Sequence, residues 1–272
     1  MPPTSAKVVL SSLVFSLISI AVACLAQTGQ QNVPPKIMAQ LKQQIGIDDA
    51  LPDQKNPSGL HISFVKFAEN DTDQGHVTVY RAFVPGASET LKYALASIKI
   101  GQTAQVLPGD VYVNAKGLLM ANKPRPEQEN EDSVDSDDEV DFAIRAARGE
   151  PVRFVLASSD GKTLIPGTVI PYPIVSEDHG CRLETRLALP DGGAVLIYAD
   201  GLPPNSEIPI RSISEDEQHP GVLHTNAAGH AATIDLPYVR GKEAGTLQVI
   251  VSTKQCSASV EIPWGKGSYS PM

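Results

Sequence analysis

The sequence predicts a mainly β protein, built as two β-rich domains with one or two short helices. Three observations carry this. From residue 60 onward apolar side chains recur with period two in short runs, the spacing of half-buried strands. Gly (21) and Pro (22) are frequent among the 272 residues, which favours turns over long helices. Hydrophobic residues make up 42 %, enough for a core in a chain long enough for one large or two ordinary domains.

Residues 1–26 read as an export signal. Lys7 precedes an apolar stretch at 8–23, broken only by Ser11, Ser12, Ser16 and Ser19. As a helix this stretch would reach about 24 Å, short of the roughly 30 Å hydrocarbon core, so a secretory signal fits better than a membrane span. Two processing routes fit the exit. Ala21-Val22-Ala23-Cys24 resembles a bacterial lipoprotein lipobox, with Ala21 where Leu is usual, which implies Cys24 lipidated as the first mature residue. Plain peptidase cleavage after Ala23 or Ala26 uses the same small residues. Either route implies a periplasmic, cell-envelope or extracellular protein that meets a membrane only through its N-terminal lipid. With Cys24 lost or lipidated, Cys181 and Cys256 remain, without C-x-x-C spacing. An even pair in an exported chain reads as one disulfide.

Residues 27–58 are a polar, Pro-flanked linker holding one short helical pattern at Ile37, Met38, Leu41 and Ile45. A helix this short is marginal alone, so it docks on a neighbour or belongs to a tether. A β-rich N-terminal domain is expected over 59–176. Strands at 60–67 and 76–84 flank a hairpin loop at 70–75, and others fall at 93–100, 111–113 and 152–157. The insert at 127–141 holds nine acidic residues and no Lys or Arg, and so carries the whole net charge of −9. Its end, Ser136-Asp137-Asp138-Glu139, has the form of a capping box, followed by Val140, Ile144 and Ala147 and then by Gly149. That spacing predicts a helix over 137–148. Pro166, Pro171 and Pro173 mark a rigid extended passage, with a domain boundary at 176–180.

Seven strands are expected over 177–265, at 182–189, 194–199, 207–213, 222–225, 231–236, 246–253 and 258–262, before a tail at 266–272. In the first of these, Leu183, Thr185, Leu187 and Leu189 share one face. This strand count matches an immunoglobulin-like β-sandwich. Thr225-Asn226-Ala227-Ala228-Gly229-His230-Ala231, followed by Gly245-Thr246-Leu247-Gln248-Val249, resembles bacterial immunoglobulin-like modules of the invasin (Big-like) type. Gly201-Leu202-Pro203-Pro204-Asn205 is similar to the strand-opening turn of exported bacterial sandwich domains. The resemblance implies a fold and an extracellular habit; it supplies no catalytic residue. Trp264 follows the second cysteine, unlike the arrangement in antibody domains.

Chemistry is sparse. With 22 basic and 31 acidic residues the chain disfavours nucleic acid as a partner, and a single Trp argues against a wide stacking platform. Nucleophile elbows, zinc helices and phosphate loops do not occur. His219, His224 and His230 are the one close histidine group, candidates for a zinc or copper site if they converge at a sandwich rim. Their spacing is not a known ligand pattern, and surface histidines are the plainer reading. Beside Cys181, His179 is the local candidate for a nucleophile's base, but a disulfide would remove the thiol. Asp135, Asp137 and Glu139 alternate as calcium ligands would, but Val140 stands where an EF-hand loop needs glycine. Asp71 and Asp73 beside Gly75 are similarly incomplete. The expectation is therefore an exported, non-catalytic binding or structural protein without a cofactor, its partner a protein or envelope component. The alternative is a secreted metal-assisted enzyme or small-ligand carrier whose site is assembled from distant residues.

Overall fold

The computed structural model describes residues 59–269 apart from 73–74, 103, 108–109 and 122–137. The signal segment with Cys24, the linker with its helical pattern, and most of the acidic insert lie outside the described residues. Those described form strands and turns, with no helix among them.

Ten strands build the first half: β1 (Ser63–Thr72), β2 (Gly75–Phe83), β3 (Lys92–Lys99), β4 (Gln105–Val106), β5 (Val111–Val113), β6 (Leu119–Ala121), β7 (Asp138–Glu139), β8 (Asp141–Ile144), β9 (Val152–Ser158) and β10 (Leu164–Val169). They pair antiparallel as a sheet β1-β2-β8 and a larger sheet β10-β9-β3-β5-β6-β7, with β4 on β3. Ile62 N–H donates to Pro166 O (2.9 Å) and Val84 N–H to Gly117 O (2.7 Å), joining the sheets at both sides. Between them Phe64, Phe142 and Phe154 meet at ring separations of 4.9–5.9 Å. The hairpin expected at 70–75 is present but tighter, since Thr72 pairs with Gly75. A bulge between Lys66 and Ala68 turns Phe67 outward, where the Arg81 guanidinium lies 3.9 Å over its ring.

The helix expected over 137–148 is a correction: its described part is strand β7, strand β8 and a turn. Capping-box chemistry and an i, i+4 stripe are local signals, and β2 overrules them by offering a free edge. In β8 burial alternates, with Phe142 and Ile144 inside and Asp141 and Ala143 outside. Helical spacing would take Phe142 off the Val140–Ile144 stripe and out of the aromatic core. Arg81 on β2 pairs with Glu139 (2.7 Å) and Asp141 (3.1 Å), so the acids serve strand pairing rather than a helix dipole.

Eight strands build the second half: β11 (Ile174–Asp178), β12 (Cys181–Leu187), β13 (Val195–Asp200), β14 (Glu207–Ser214), β15 (Glu217–His224), β16 (Ala231–Asp235), β17 (Ala244–Ser252) and β18 (Ser257–Gly265). All seven expected strands occur, and β11 is an eighth. The sheets are β11-β12-β13-β16 and β15-β14-β17-β18. Setting β11 aside, the first, second and fifth strands share one sheet and the other four share the second, the Greek-key order of an immunoglobulin-like sandwich with its fourth strand on the third. Residues 176–180, expected as a boundary, close the β11–β12 hairpin instead, with His179 (φ 45°) and Gly180 (φ 87°) as its left-handed turn. The change of sheet falls between Val169 and Ile174. Leu183, Thr185 and Leu187 point into the core as expected, whereas Leu189 lies beyond the strand against an outer cluster of Leu196, Tyr198 and Ile234.

The halves meet at the turn around Gly149. Its N–H donates to Tyr172 O (2.7 Å), its carbonyl accepts from Leu187 N–H (2.8 Å), and a Cβ there would lie 2.8 Å from Ile174 Cδ1. The sequence places this glycine at the end of a helix; it is instead one of the contacts between the two sheet pairs.

Candidate functional site

Two of the stretches that the sequence singles out, 225–231 and 201–205, fold against each other at one pole of the sandwich. Asn226 Oδ1 accepts from Ala228 N–H (2.9 Å) and His230 N–H (3.0 Å), which closes a turn around Gly229 (φ 78°). Thr225 Oγ1 accepts from Ser206 N–H (2.8 Å) and donates to Pro203 O (2.6 Å), locking this turn to residues 201–206. The fit leaves no room: a Cβ on Gly229 would sit 2.2 Å from Leu202 O, and one on Gly201 1.9 Å from Gly180 O. Beside them Cys181 and Cys256 form the disulfide, Cα atoms 6.2 Å apart, both buried. It ties the start of β12 in one sheet to the start of β18 in the other. Asp178 Oδ2 accepts from Ser257 N–H (2.7 Å), a hydrogen bond that holds its carboxyl below the usual carboxylate range.

From this pole a ribbon of charge runs along the outer face of β12 and β13. His230 Nδ1 meets Asp200 Oδ1 at 2.5 Å, and Arg182 lies 3.9 Å from Asp200 and 2.6 Å from Glu184. Glu184, buried, also takes Arg186 Nε at 2.7 Å, and the Arg186 guanidinium stacks 4.3 Å from the Tyr198 ring. Alternating fixed charges of this kind suit recognition of a polar surface rather than bond making.

The three histidines do not converge. His224, mostly exposed, sits 3.8 Å from Glu207, and His219 lies five residues back along the same strand, roughly 16 Å away. His230 belongs to the other sheet's loops, paired with Asp200. Among the described residues no group of three or more His, Cys, Asp or Glu is placed to hold a metal ion. His179 faces Asp178 (2.5 Å), and the Cys181 sulfur beside it is in the disulfide. Asp71 faces His76 rather than an open loop, Glu139 faces Arg81, and Asp73, Asp135 and Asp137 lie outside the described residues.

His219 has company that the sequence did not reveal. Ser212 on β14 stands directly opposite it, and Asp235 from β16 reaches across the sandwich to accept a hydrogen bond from the Ser212 hydroxyl. Serine, histidine and aspartate are thus neighbours, but in the wrong order for catalysis: the hydroxyl donates to the carboxylate and not to the imidazole. Burial pushes the Asp235 carboxyl up, against the Ser212 hydroxyl, the Leu236 N–H and the His219 ring, which lower it. Its neutral form is therefore favoured by folding. Below the unfolded value near 3.8 this contributes its full stabilisation, which is lost as pH rises through the higher folded value. Asp235→Asn should raise the urea midpoint at neutral pH, and the gain should shrink toward zero as pH falls to 3.8. A pH-independent difference would contradict this account.

A second unread cluster lies on the β1–β2 hairpin. His76 Nδ1 lies 2.5 Å from Asp71 Oδ1 and its Nε2 2.8 Å from Glu69 Oε1, so a charged ring donates at both ends. The Asp71 and Glu69 carboxylates raise its pKa above 6.5 against the opposing effect of desolvation. The ring lies 5.3 Å from that of Tyr172, whose hydroxyl bonds Thr78 Oγ1 (2.7 Å) at the junction. The stabilisation is complete below pH 6.5 and lost as pH rises through the folded value. An NMR titration of His76 should give a midpoint above 6.5, moved down by Asp71→Asn. A midpoint unaffected by the substitution would show that the carboxylate is not the cause.

No family model matches the sequence, and no curated protein does. Among solved structures it is similar to a pullulanase complexed with maltotriose from Anoxybacillus sp. LM18-11, at 10 % identity and a TM-score of 0.22. The likeness covers 72 % of this chain and 25 % of that one, and is too slight to bear on fold or activity.

Proposed function

We propose that the chain is an exported, cell-envelope-associated or secreted protein that binds or spaces a partner outside the cytoplasm and performs no catalysis. The observation that carries this reading is the buried Cys181–Cys256 disulfide joining the two sheets of an immunoglobulin-like sandwich. Such bonds persist in oxidising compartments, and sandwiches of this kind serve as rigid spacers and recognition modules. The export signal at 1–26 supports the same compartment, and the exposed charges of Arg182, Asp200 and His230, held from beneath by the buried Glu184, form the recognition face, suited to a protein or envelope component of alternating charge.

The test is fractionation followed by intact-mass analysis of the mature protein. A mature N-terminus at Cys24 with an acyl mass, released from membranes by Cys24→Ser, places the protein at the envelope. A soluble form beginning at Gln27 places it in the periplasm or medium. Full-length protein in the cytoplasm with Cys181 and Cys256 as free thiols would overturn the reading.

A further inference from the structure

The connection between the two halves is a stiff arm held at one residue. Val169 ends β10 and Ile174 begins β11, and between them Pro171 and Pro173 have fixed φ. Each proline also confines the residue before it, Ile170 and Tyr172, to extended backbone. Whatever fixes Tyr172 therefore fixes the direction in which the second half leaves the first. Its carbonyl accepts from Gly149 N–H (2.7 Å), and the Gly149 carbonyl accepts from Leu187 N–H (2.8 Å) on β12. Its side chain lies against the β1–β2 hairpin: the hydroxyl bonds the fully buried Thr78 at 2.7 Å, and the ring lies 5.3 Å from that of His76.

Imidazole is the side chain that changes charge near neutral pH. Facing this ring, β1 brings Asp71 and Glu69, with Lys66 2.6 Å from Glu69. Tyr80 follows Thr78 on the same face of β2, its pKa raised by burial, and β8 adds Phe142 and Ile144. The connection brings Tyr172, and Asp73 of the hairpin loop lies outside the described residues. With its proton the His76 ring donates to Asp71 (2.5 Å) and Glu69 (2.8 Å) at once, and sets a positive charge against the Tyr172 ring. Without it the ring has one donor, so one carboxylate loses its partner and the hairpin carries unbalanced negative charge beside Tyr172. We propose that the β1–β2 hairpin is a pH-operated latch on the connection, closed on Tyr172 while His76 is protonated and eased when the proton leaves, so that the angle between the halves loosens without either unfolding. The Asp71 and Glu69 carboxylates keep the proton on the ring above the ordinary 6.5, so the latch is closed below pH 6.5 and eases as pH rises through the higher folded value. Ile100 still packs against the second core and Gly101 against Pro190, which keeps the halves joined when the latch eases.

The test is amide hydrogen exchange of the mature chain, residues 27–272, read at Gly149 and Leu187, whose N–H groups make the junction bonds. With intrinsic exchange rates divided out, protection at both should fall about two- to fivefold between about pH 5.5 and about pH 8.5, with the midpoint of the His76 ring. Val249, buried in the second core, should keep its protection. Asp71→Asn should move the ring midpoint and the junction midpoint down together. Tyr172→Leu should leave the His76 titration in place but flatten the step at Gly149 and Leu187. If Tyr172→Leu strips these amides of all protection, the Asp71→Asn shift decides alone. Flat protection in the wild type would overturn the proposal, as would a step that survives Tyr172→Leu or a junction midpoint that stays when Asp71→Asn moves the ring's. So would a parallel loss at Val249, which would indicate pH-dependent unfolding rather than a loosened junction.

Discussion

Removing the Cys181–Cys256 bond should cost the sandwich about 4.5 kcal/mol, the chain-entropy value for a closed loop of this size, less whatever structure the unbridged unfolded chain retains. The cost has two parts in the folded state's favour. The unfolded chain regains the freedom of a 75-residue loop, and the two sheets lose their covalent tie at the loop pole. A Cys181→Ala/Cys256→Ala double variant measures it without leaving free thiols, by urea denaturation followed in the second half of the molecule. Both sulfurs are buried, so mild reductant should act only as the domain opens, and the reduction rate should track the unfolding rate. A double variant as stable as the wild type would mean that the bond is an ornament to a self-sufficient core.

Trp264→Ala should destabilise by about 3–5 kcal/mol, comparable to the disulfide. The ring is 2 % exposed, packs 6.2 Å from Tyr238, and fills the space against Gly245, where a Cβ would lie 2.8 Å from its Cζ2. Its indole N–H has no hydrogen-bond partner among the described residues. Trp264→Phe removes that orphaned donor along with some volume, so the two effects oppose and the cost should be well below that of alanine. Equilibrium unfolding of the pair gives the ratio. Equal losses for Phe and Ala would show that the indole's polar atom is satisfied or that packing at this site is loose.

Strand identity in the second half was legible because each strand is a short alternating run closed by a Gly, Asp or Asn turn, and such turns are local events. Among the strands that the sequence did not reveal, β10 in the first half and β11 in the second are disguised by prolines. Pro166 sits on β10 with its carbonyl turned toward Ile62, so its missing N–H also faces away from β9 and costs no ladder bond. Pro173 lies just before β11, where a ring that cannot donate is harmless. The stretch at 137–148 misled because its local signals were self-consistent; only the pairing with β2 and the place of Phe142 among Phe64 and Phe154 decide against a helix. The disulfide was legible from counting once Cys24 was assigned to the export signal. Asp235 and Ser212 were not, since they are 23 residues apart and meet only because two sheets face each other. The same holds for Tyr172 over His76, a contact across the junction that no spacing rule anticipates.

The position of the disulfide also sets how the sandwich answers a pull on its ends. Force applied through residues before β11 and after β18 reaches Cys181 and Cys256 within a few residues of leaving the strands β11 and β18. Those two strands can peel, but the loop between the cysteines cannot lengthen while the bond holds. About 260 Å of contour length, at roughly 3.5 Å per residue, is thereby withheld from extension. A module strung between an anchor and a partner would yield by a short, fixed step and then act as an inextensible link.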